Sequence, residues 1–328
     1  IADAVFRMSG TPFSLSFAGG GFLAIYEIGV IQALLEQAPE ILRSAPKVYG
    51  ASSGSLMAAA VVCKVSLDDL KRLFYGIACD SRRSLRSPFF PGCNVIRSLQ
   101  KKLHQTLPEN SHQMATGRLY VSLTRLIDGQ NVVVSEYSSK EELIQVLICS
   151  CFVPIYAGFI PPSFRGVRYV DGGFTNLQPC SDLETAITVS PFTGETDICP
   201  RDCPAIFYSV YILQANIQIS LENLCRFCYA LFPPSWQVSC FSSGRRYVAG
   251  GSPSLLCTGS FRKAGKCCLN LPLIQESPVS GMLASQVRLH LAEARAARRG
   301  LHLLPTATTG GEESSCLNPH LKLKVSFR

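Results

Sequence analysis

Three short glycine-bearing stretches carry the residues whose types and spacing could do chemistry. The first is Gly50-Ala51-Ser52-Ser53-Gly54, a G-x-S-x-G pattern between apolar Val48-Tyr49 and the alanine-rich run Leu56-Met57-Ala58-Ala59-Ala60. A sharp strand-to-helix turn of this kind lifts a serine hydroxyl above a sheet as a nucleophile. Gly50 and Gly54 remove side chains where strand and helix crowd that turn. A helix starting just after Ser52 would aim its first amides at negative charge developing there. The second stretch is Gly19-Gly20-Gly21, and the third is Asp171-Gly172-Gly173, which closes the short apolar run Tyr169-Val170.

The glycine loop admits three readings. A dinucleotide fingerprint would need glycine where Ala24 stands, and a phosphate-binding P-loop would need Gly-Lys-Ser/Thr, which is absent. The third is an oxyanion hole in which the amides of Gly20 and Gly21 face the serine turn. It requires only that the two loops share one sheet edge, where consecutive βαβ strands put them.

A serine nucleophile needs a group to take its proton, usually a histidine. Of the five histidines, His104 sits in a polar helical run, His112 in a polar loop, and His290, His302 and His320 in the last quarter of the chain. None follows a strand end. Asp171 does, with apolar residues before it and glycines after it. Partly buried there, its carboxylate would have a raised pKa and could accept the proton directly. A Ser52–Asp171 dyad is therefore the economical arrangement, and an Asx-type turn without chemistry is the alternative for Asp171.

The elements that must position these groups follow from pattern. Pro12–Phe17 alternates and reads as a strand, followed by the glycine loop and a helix over Leu23–Gln37. Lys47–Tyr49 is a second strand, Asp68–Ala78 an amphipathic helix, Ser81–Pro91 a loop and Val95–Leu107 a further helix. Asp128-Gly129 between Leu119–Thr124 and Asn131–Ser135 signals a hairpin. Ser139 caps a helix that begins Lys140-Glu141-Glu142, in the manner of a capping box. Ala186–Pro191 is another buried strand. The sixteen-residue apolar stretch Ile217–Phe232 suits a core or an interfacial helix.

With 328 residues, 47% hydrophobic and 16% charged, the chain can bury a large core. It contains no apolar run of roughly 20 residues, the length that spans a bilayer. It begins with Ile1 rather than methionine and so reads as a fragment. Residues 1–238 balance 19 Lys/Arg against 19 Asp/Glu, whereas residues 239–328 hold 12 against 4 and supply the net charge of +8. A basic nucleic-acid surface on the folded part, and a nucleic-acid partner, are therefore not expected. The 15 cysteines are scattered through apolar runs as small hydrophobes. Cys199-x3-Cys203 and Cys225-x2-Cys228 lack a nearby histidine, so no metal and no cofactor are expected. After Trp236 periodicity is lost except near 282–299, and the end of the chain reads as a basic, disordered or aberrant tail.

Taken in order, Gly19–Ala24, Gly50–Gly54 and Asp171–Gly173 resemble the motifs of the patatin-like phospholipase family. Val121–Leu126, Val132–Glu136, Ser139–Ile144, Phe164–Tyr169 and Asp197–Pro204 are similar to its animal members. The resemblance spans roughly residues 12–238, leaving 239–328 outside it. It implies an α/β fold: a three-layer α/β/α sandwich with a mostly parallel central sheet. It implies Ser52 as nucleophile, Asp171 as proton acceptor, and Gly19, Gly20 and Gly21 as the oxyanion loop. The implied activity is acyl-ester chemistry on neutral lipid, with triacylglycerol as acyl donor and water or the ω-hydroxyl of a ceramide as acceptor. Alternatives within the resemblance are a triacylglycerol lipase, a phospholipase A2, or a non-catalytic lipid-droplet scaffold. Implied partners are a neutral lipid or phospholipid substrate, a lipid-droplet or membrane surface, and an α/β-hydrolase-type lipase coactivator. The implied location is cytoplasmic and peripheral to lipid.

Overall fold

The computed structural model describes residues 13–85, 93–180, 185–200, 202 and 208–232. Strand β1 (Ser14–Phe17) leads through a 3-10 turn (Gly21–Leu23) into α1 (Ala24–Gln37) and α2 (Pro39–Ser44), and the chain returns as β2 (Val48–Ala51). Four helices follow: α3 (Ser53–Val62), α4 (Leu67–Leu85), α5 (Cys93–Thr106) and α6 (Ser111–Ala115). The hairpin of β3 (Leu119–Arg125) and β4 (Asn131–Val134) comes next, then α7 (Lys140–Ser150), β5 (Ser163–Phe164) and β6 (Val167–Asp171). A second 3-10 turn (Gly172–Phe174) precedes β7 (Ala186–Val189), the hairpin β8 (Ser209–Ile212) and β9 (Ala215–Gln218), and finally α8 (Leu221–Leu231).

Seven strands make one sheet in the order β5-β6-β3-β2-β1-β7, with β4 also paired to β3; β8 and β9 pair separately. β7, β1, β2 and β3 run parallel, while β4, β5 and β6 join antiparallel. Every residue of β1 and β2 is buried, which requires cover on both faces, as in an α/β/α fold. One of the two serines of β1, Ser16, is satisfied within that cover, its Oγ donating to the Pro179 carbonyl at 2.5 Å. Helix α3 is buried at every position but Val61, and its run Ala58–Ala60 allows close approach to the sheet. Phe17, Met57, Leu119, Leu123, Ile144 and Leu147 are among the fully buried side chains. Each contributes about 1.5–3 kcal/mol of burial.

The register along β3 decides where the chemistry-bearing residues land. β2 runs beside Leu119–Ser122 and ends with Ala51 opposite Ser122. β6 runs the other way beside Leu123–Arg125 and ends with Asp171 opposite Leu123. β4 occupies Val121–Thr124, and a strand has two edges, so β2 and β6 must share the other edge end to end. Ser52 and Asp171, 119 residues apart in sequence, therefore leave adjacent places on one strand.

Several elements differ from their sequence readings. Ser81–Pro91 is not a loop throughout: α4 continues to Leu85, and residues 86–92 lie outside the described set. Its apolar stripe Leu70, Leu73, Phe74, Ile77 runs on to buried Ser81, and arginine is a good helix former. Ile217 lies on β9, so the last helix starts four residues later, at Leu221, where the Ser220 hydroxyl accepts from the Asn223 amide. The hairpin before it turns through Leu213 and Gln214, both at positive φ, without the Asn-Gly or Asp-Gly that advertises such turns. The helix is not a core helix, for Leu221, Leu224, Leu231 and Phe232 are exposed. At α7 the Ser139 hydroxyl does cap, accepting from the Glu142 amide, but the Glu142 carboxylate takes the Ser138 N–H rather than that of Ser139. The expected helix near 282–299, with His290, His302 and His320, falls outside the described residues.

Glu27 on α1 is fully buried, and neither carboxylate oxygen has a hydrogen-bond partner. Burial raises its pKa well above the ordinary value of 4.5. Folding then takes up a proton, so this group's contribution is fully present below pH 4.5 and is lost as pH rises through the folded pKa. Glu27→Met should raise the melting temperature at pH 8, with a smaller gain at pH 4; a scan of Tm against pH for both proteins checks it.

Candidate active site

Ser52 sits between β2 and α3 with φ 52° and ψ −129°, a conformation that a non-glycine residue holds only when its surroundings impose it. The imposing contacts are backbone-tight. A Cβ on Gly50 would lie 2.4 Å from the Gly54 carbonyl oxygen, and one on Gly54 would lie 2.4 Å from the carbonyl oxygens of Phe17 and Ala18. Strand and helix thus approach as closely as the absent side chains permit, and the turn between them leaves the serine projecting.

The Ser52 hydroxyl donates to Asp171 Oδ2 at 2.5 Å. The other carboxylate oxygen, Oδ1, accepts from the Gly173 amide at 2.8 Å. The Asx-type turn and the serine contact are therefore both present, one on each oxygen. Gly172 is needed beside them, because a Cβ there would stand 2.0 Å from the Ser122 carbonyl oxygen. Asp171 itself is 5% exposed. Burial pushes its pKa up to about 6, against the opposing pull of the Ser52 hydroxyl and the Gly173 amide.

The glycine loop lies against the serine, with a Gly19 Cβ falling 3.3 Å from Ser52 Cβ. Its amides are shared out differently from the sequence expectation. The Gly19 N–H donates to the Leu177 carbonyl at 2.9 Å, and the Gly20 N–H donates to Ser53 Oγ at 3.0 Å. Gly21, at φ 53°, takes part in neither bond. The Ser55 amide is also taken, donating to the Ser52 carbonyl at 2.9 Å, so the Gly21 amide and the first two amides of α3, those of Ser53 and Gly54, remain for an oxyanion. Gly20 instead ties the loop to the elbow.

Sequence reasoning missed the serines that hold this assembly. The Ser52 amide donates to Ser150 Oγ at 2.9 Å, and that hydroxyl donates to the Ser122 carbonyl at 2.8 Å. Ser150 is fully buried at the end of α7. Around the base of Asp171, the Thr124 hydroxyl donates to its carbonyl at 2.8 Å, and Asn131 Nδ2 donates to Ser122 Oγ at 2.7 Å and to Thr175 Oγ1 at 2.8 Å. Single serines and threonines in strands and helix ends carry no pattern, so only the fold reveals them. His104 is exposed on α5 and His112 lies in α6; neither hydrogen-bonds to Ser52 or Asp171. Cys151 lies near Asp171, and burial followed by that carboxylate holds its thiol neutral. Cys203 is outside the described residues, Cys228 is exposed on α8, and no group of three His, Cys, Asp or Glu among the described residues could hold a metal ion.

A family model described as patatin-like phospholipase matches residues 15–183. The human omega-hydroxyceramide transacylase is 49% identical over 224 residues, covering 68% of this chain and 42% of that protein. Human patatin-like phospholipase domain-containing protein 2 is 45% identical over 222 residues, covering 68% and 44%. The human 1-acylglycerol-3-phosphate O-acyltransferase PNPLA3 is 42% identical over 226 residues, covering 69% and 47%. The chain thus spans less than half the length of each of these relatives.

Ser150→Ala leaves the partly buried Ser52 amide without its acceptor, a loss of about 1–3 kcal/mol. If that cost falls on the elbow, fluorophosphonate labelling of Ser52 should slow by roughly tenfold or more. Circular dichroism should stay unchanged. Labelling at the wild-type rate would mean that the elbow is held without Ser150.

Proposed function

The chain belongs to the patatin-like phospholipase family, and from this premise we propose that it is a serine-dependent acyl hydrolase or transacylase acting on neutral lipid esters. The observation that carries the reading is the Ser52 hydroxyl donating to a buried Asp171 carboxylate whose pKa is raised to about 6. Ser52 Oγ attacks the ester carbonyl carbon while its proton passes to Asp171 Oδ2. Free amides of the Gly21 turn and of α3 stabilise the oxyanion. The carbonyl re-forms, the ester C–O bond breaks, and Asp171 returns the proton to the departing alcohol. A second alcohol or water then gives its proton to Asp171 and attacks the acyl carbon; the bond to Ser52 Oγ breaks and Asp171 returns the proton to that oxygen, restoring both groups. A carboxylate with a pKa near 6 is a stronger base than an ordinary aspartate, which suits it to work without histidine.

The relatives bear on the acceptor. One is named for transacylation of omega-hydroxyceramide and another for O-acylation of 1-acylglycerol-3-phosphate, which supports a lipid alcohol as well as water. The segments Val121–Leu126 and Phe164–Tyr169 resemble patatin-like phospholipase domain-containing protein 1, and we assign the chain to that type. We further propose residues 12–238 as the catalytic unit and 239–328 as a separate tail. The proposed setting is the cytoplasmic surface of lipid droplets or membranes, with an α/β-hydrolase-type coactivator as a candidate partner; the family resemblance supports both.

Two measurements test the chemistry. With labelled triacylglycerol, with and without ω-hydroxyceramide, Ser52→Ala and Asp171→Asn should each lose product by at least a thousandfold, a scale consistent with single-residue removals in related dyads and triads. Undiminished turnover in both variants would sink the dyad. Because Asp171 must be ionised to accept the proton, kcat/KM should rise with pH through about 6 and level off above it.

A further inference from the structure

Helix α8 is amphipathic in the inverse sense to a surface helix. Asn223, Arg226 and Ala230 are buried, while Leu221, Leu224, Cys228 and Leu231 form the opposite stripe and face solvent. Leu221 is 69% exposed and Leu224 61%. The inward face is locked in place. Arg226 pairs with Asp202 at 2.6 Å and 2.8 Å and also donates to Thr193 Oγ1 and Asn223 Oδ1. The Asn223 amide group donates to the carbonyls of Thr193 and Gln218. Rolling the helix to hide its leucines would strand a buried charge, so the apolar stripe is held outward.

The helix that carries this stripe borders the catalytic groups on one side. The Ala230 carbonyl lies against the glycine loop, where a Cβ on Gly21 would come within 2.1 Å of its oxygen. A second apolar segment borders them on the other side. The Phe152 carbonyl accepts the Asp171 N–H at 2.9 Å, and the loop that follows exposes Ile155, Phe159 and Ile160, the last by 75%. The two are joined where Tyr156 meets Phe232 edge-on at 6.0 Å. One apolar rim thus runs from beside the oxyanion loop to beside the carboxylate. The chain that continues from α8 is the part that carries 12 Lys/Arg against 4 Asp/Glu over residues 239–328.

We propose that the outward stripe of α8 and the 155–160 loop together insert into a phospholipid-coated lipid surface, setting the partly exposed Ser52 close to it. An apolar rim of this kind buries its side chains at the headgroup boundary, and the basic segment adds attraction to anionic headgroups. The inference deepens the acyl-transfer reading, since an ester dissolved in lipid has to be met at its surface.

The test uses the full chain and sedimentation with phosphatidylcholine vesicles, with and without phosphatidylserine. The wild type and catalytically silent Ser52→Ala should bind alike, more tightly when phosphatidylserine is present. Leu224→Ser combined with Leu231→Ser should lower the partition coefficient at least tenfold, and Leu224→Met with Leu231→Met should restore it at unchanged Tm. Equal binding by the serine double variant would overturn the proposal. So would a dimer that the serine variant dissolves. Vesicle binding without any ester turnover would instead remove the acyl-transfer reading and leave this one standing.

Discussion

The arrangement depends on one shared strand edge. β2 and β6 cannot both pair with the same residues of β3, so they divide its length, and their ends meet between Ser122 and Leu123. The meeting places a serine and a carboxylate in contact without any long side chain bridging the gap. It also explains why the surrounding polar groups are short: Ser122, Thr124, Ser150 and Thr175 work at backbone distance, where larger side chains would push the strand ends apart. The glycines have the same origin, since at Gly50, Gly54 and Gly172 a Cβ would sit within 2.4 Å of a backbone oxygen.

Burial is used in two opposite ways in this chain. Asp202 and Arg226 are taken out of water together, and their attraction is multiplied by hydrogen bonds that leave few valences unmet. Asp171 is taken out of water with only a hydroxyl and one amide for company, and its pKa shift to about 6 corresponds to a penalty on the order of 3 kcal/mol on the charged form. The first arrangement fixes a helix. The second leaves a carboxylate ready to accept a proton, a readiness that an ion pair would abolish.

Much of this was legible in the sequence. The strand–turn–helix around Ser52, the hairpin at Asp128-Gly129 and the strand ending in Asp171 each announced themselves through glycine placement and alternation, and the structure contains all three. The α/β class was implied by the family resemblance of those motifs, and the sheet is flanked accordingly. What was not legible came from contacts between distant segments. Nothing near Ser150 marks it as the acceptor for an amide 98 residues away, and nothing in Gly20 says that its N–H turns to Ser53. For helix α8 the sequence left core and interfacial readings open for a related reason: apolar residues fit either, and only the buried Arg226 network reveals which face looks inward. The extension of α4 and the Leu213-Gln214 turn show tertiary packing overriding weak local signals.

The 2.5 Å contact between Ser52 and Asp171 also runs in the direction opposite to catalysis. In a site from which water is largely excluded, the serine hydroxyl is one of two donors that keep this carboxylate ionisable, the Gly173 amide being the other. Taking the hydroxyl away therefore alters the acid as well as the nucleophile, shifting Asp171 further toward its neutral form. An alanine at position 52 is accordingly a different electrostatic site, and cysteine, which keeps a polar atom there, disturbs the carboxylate less.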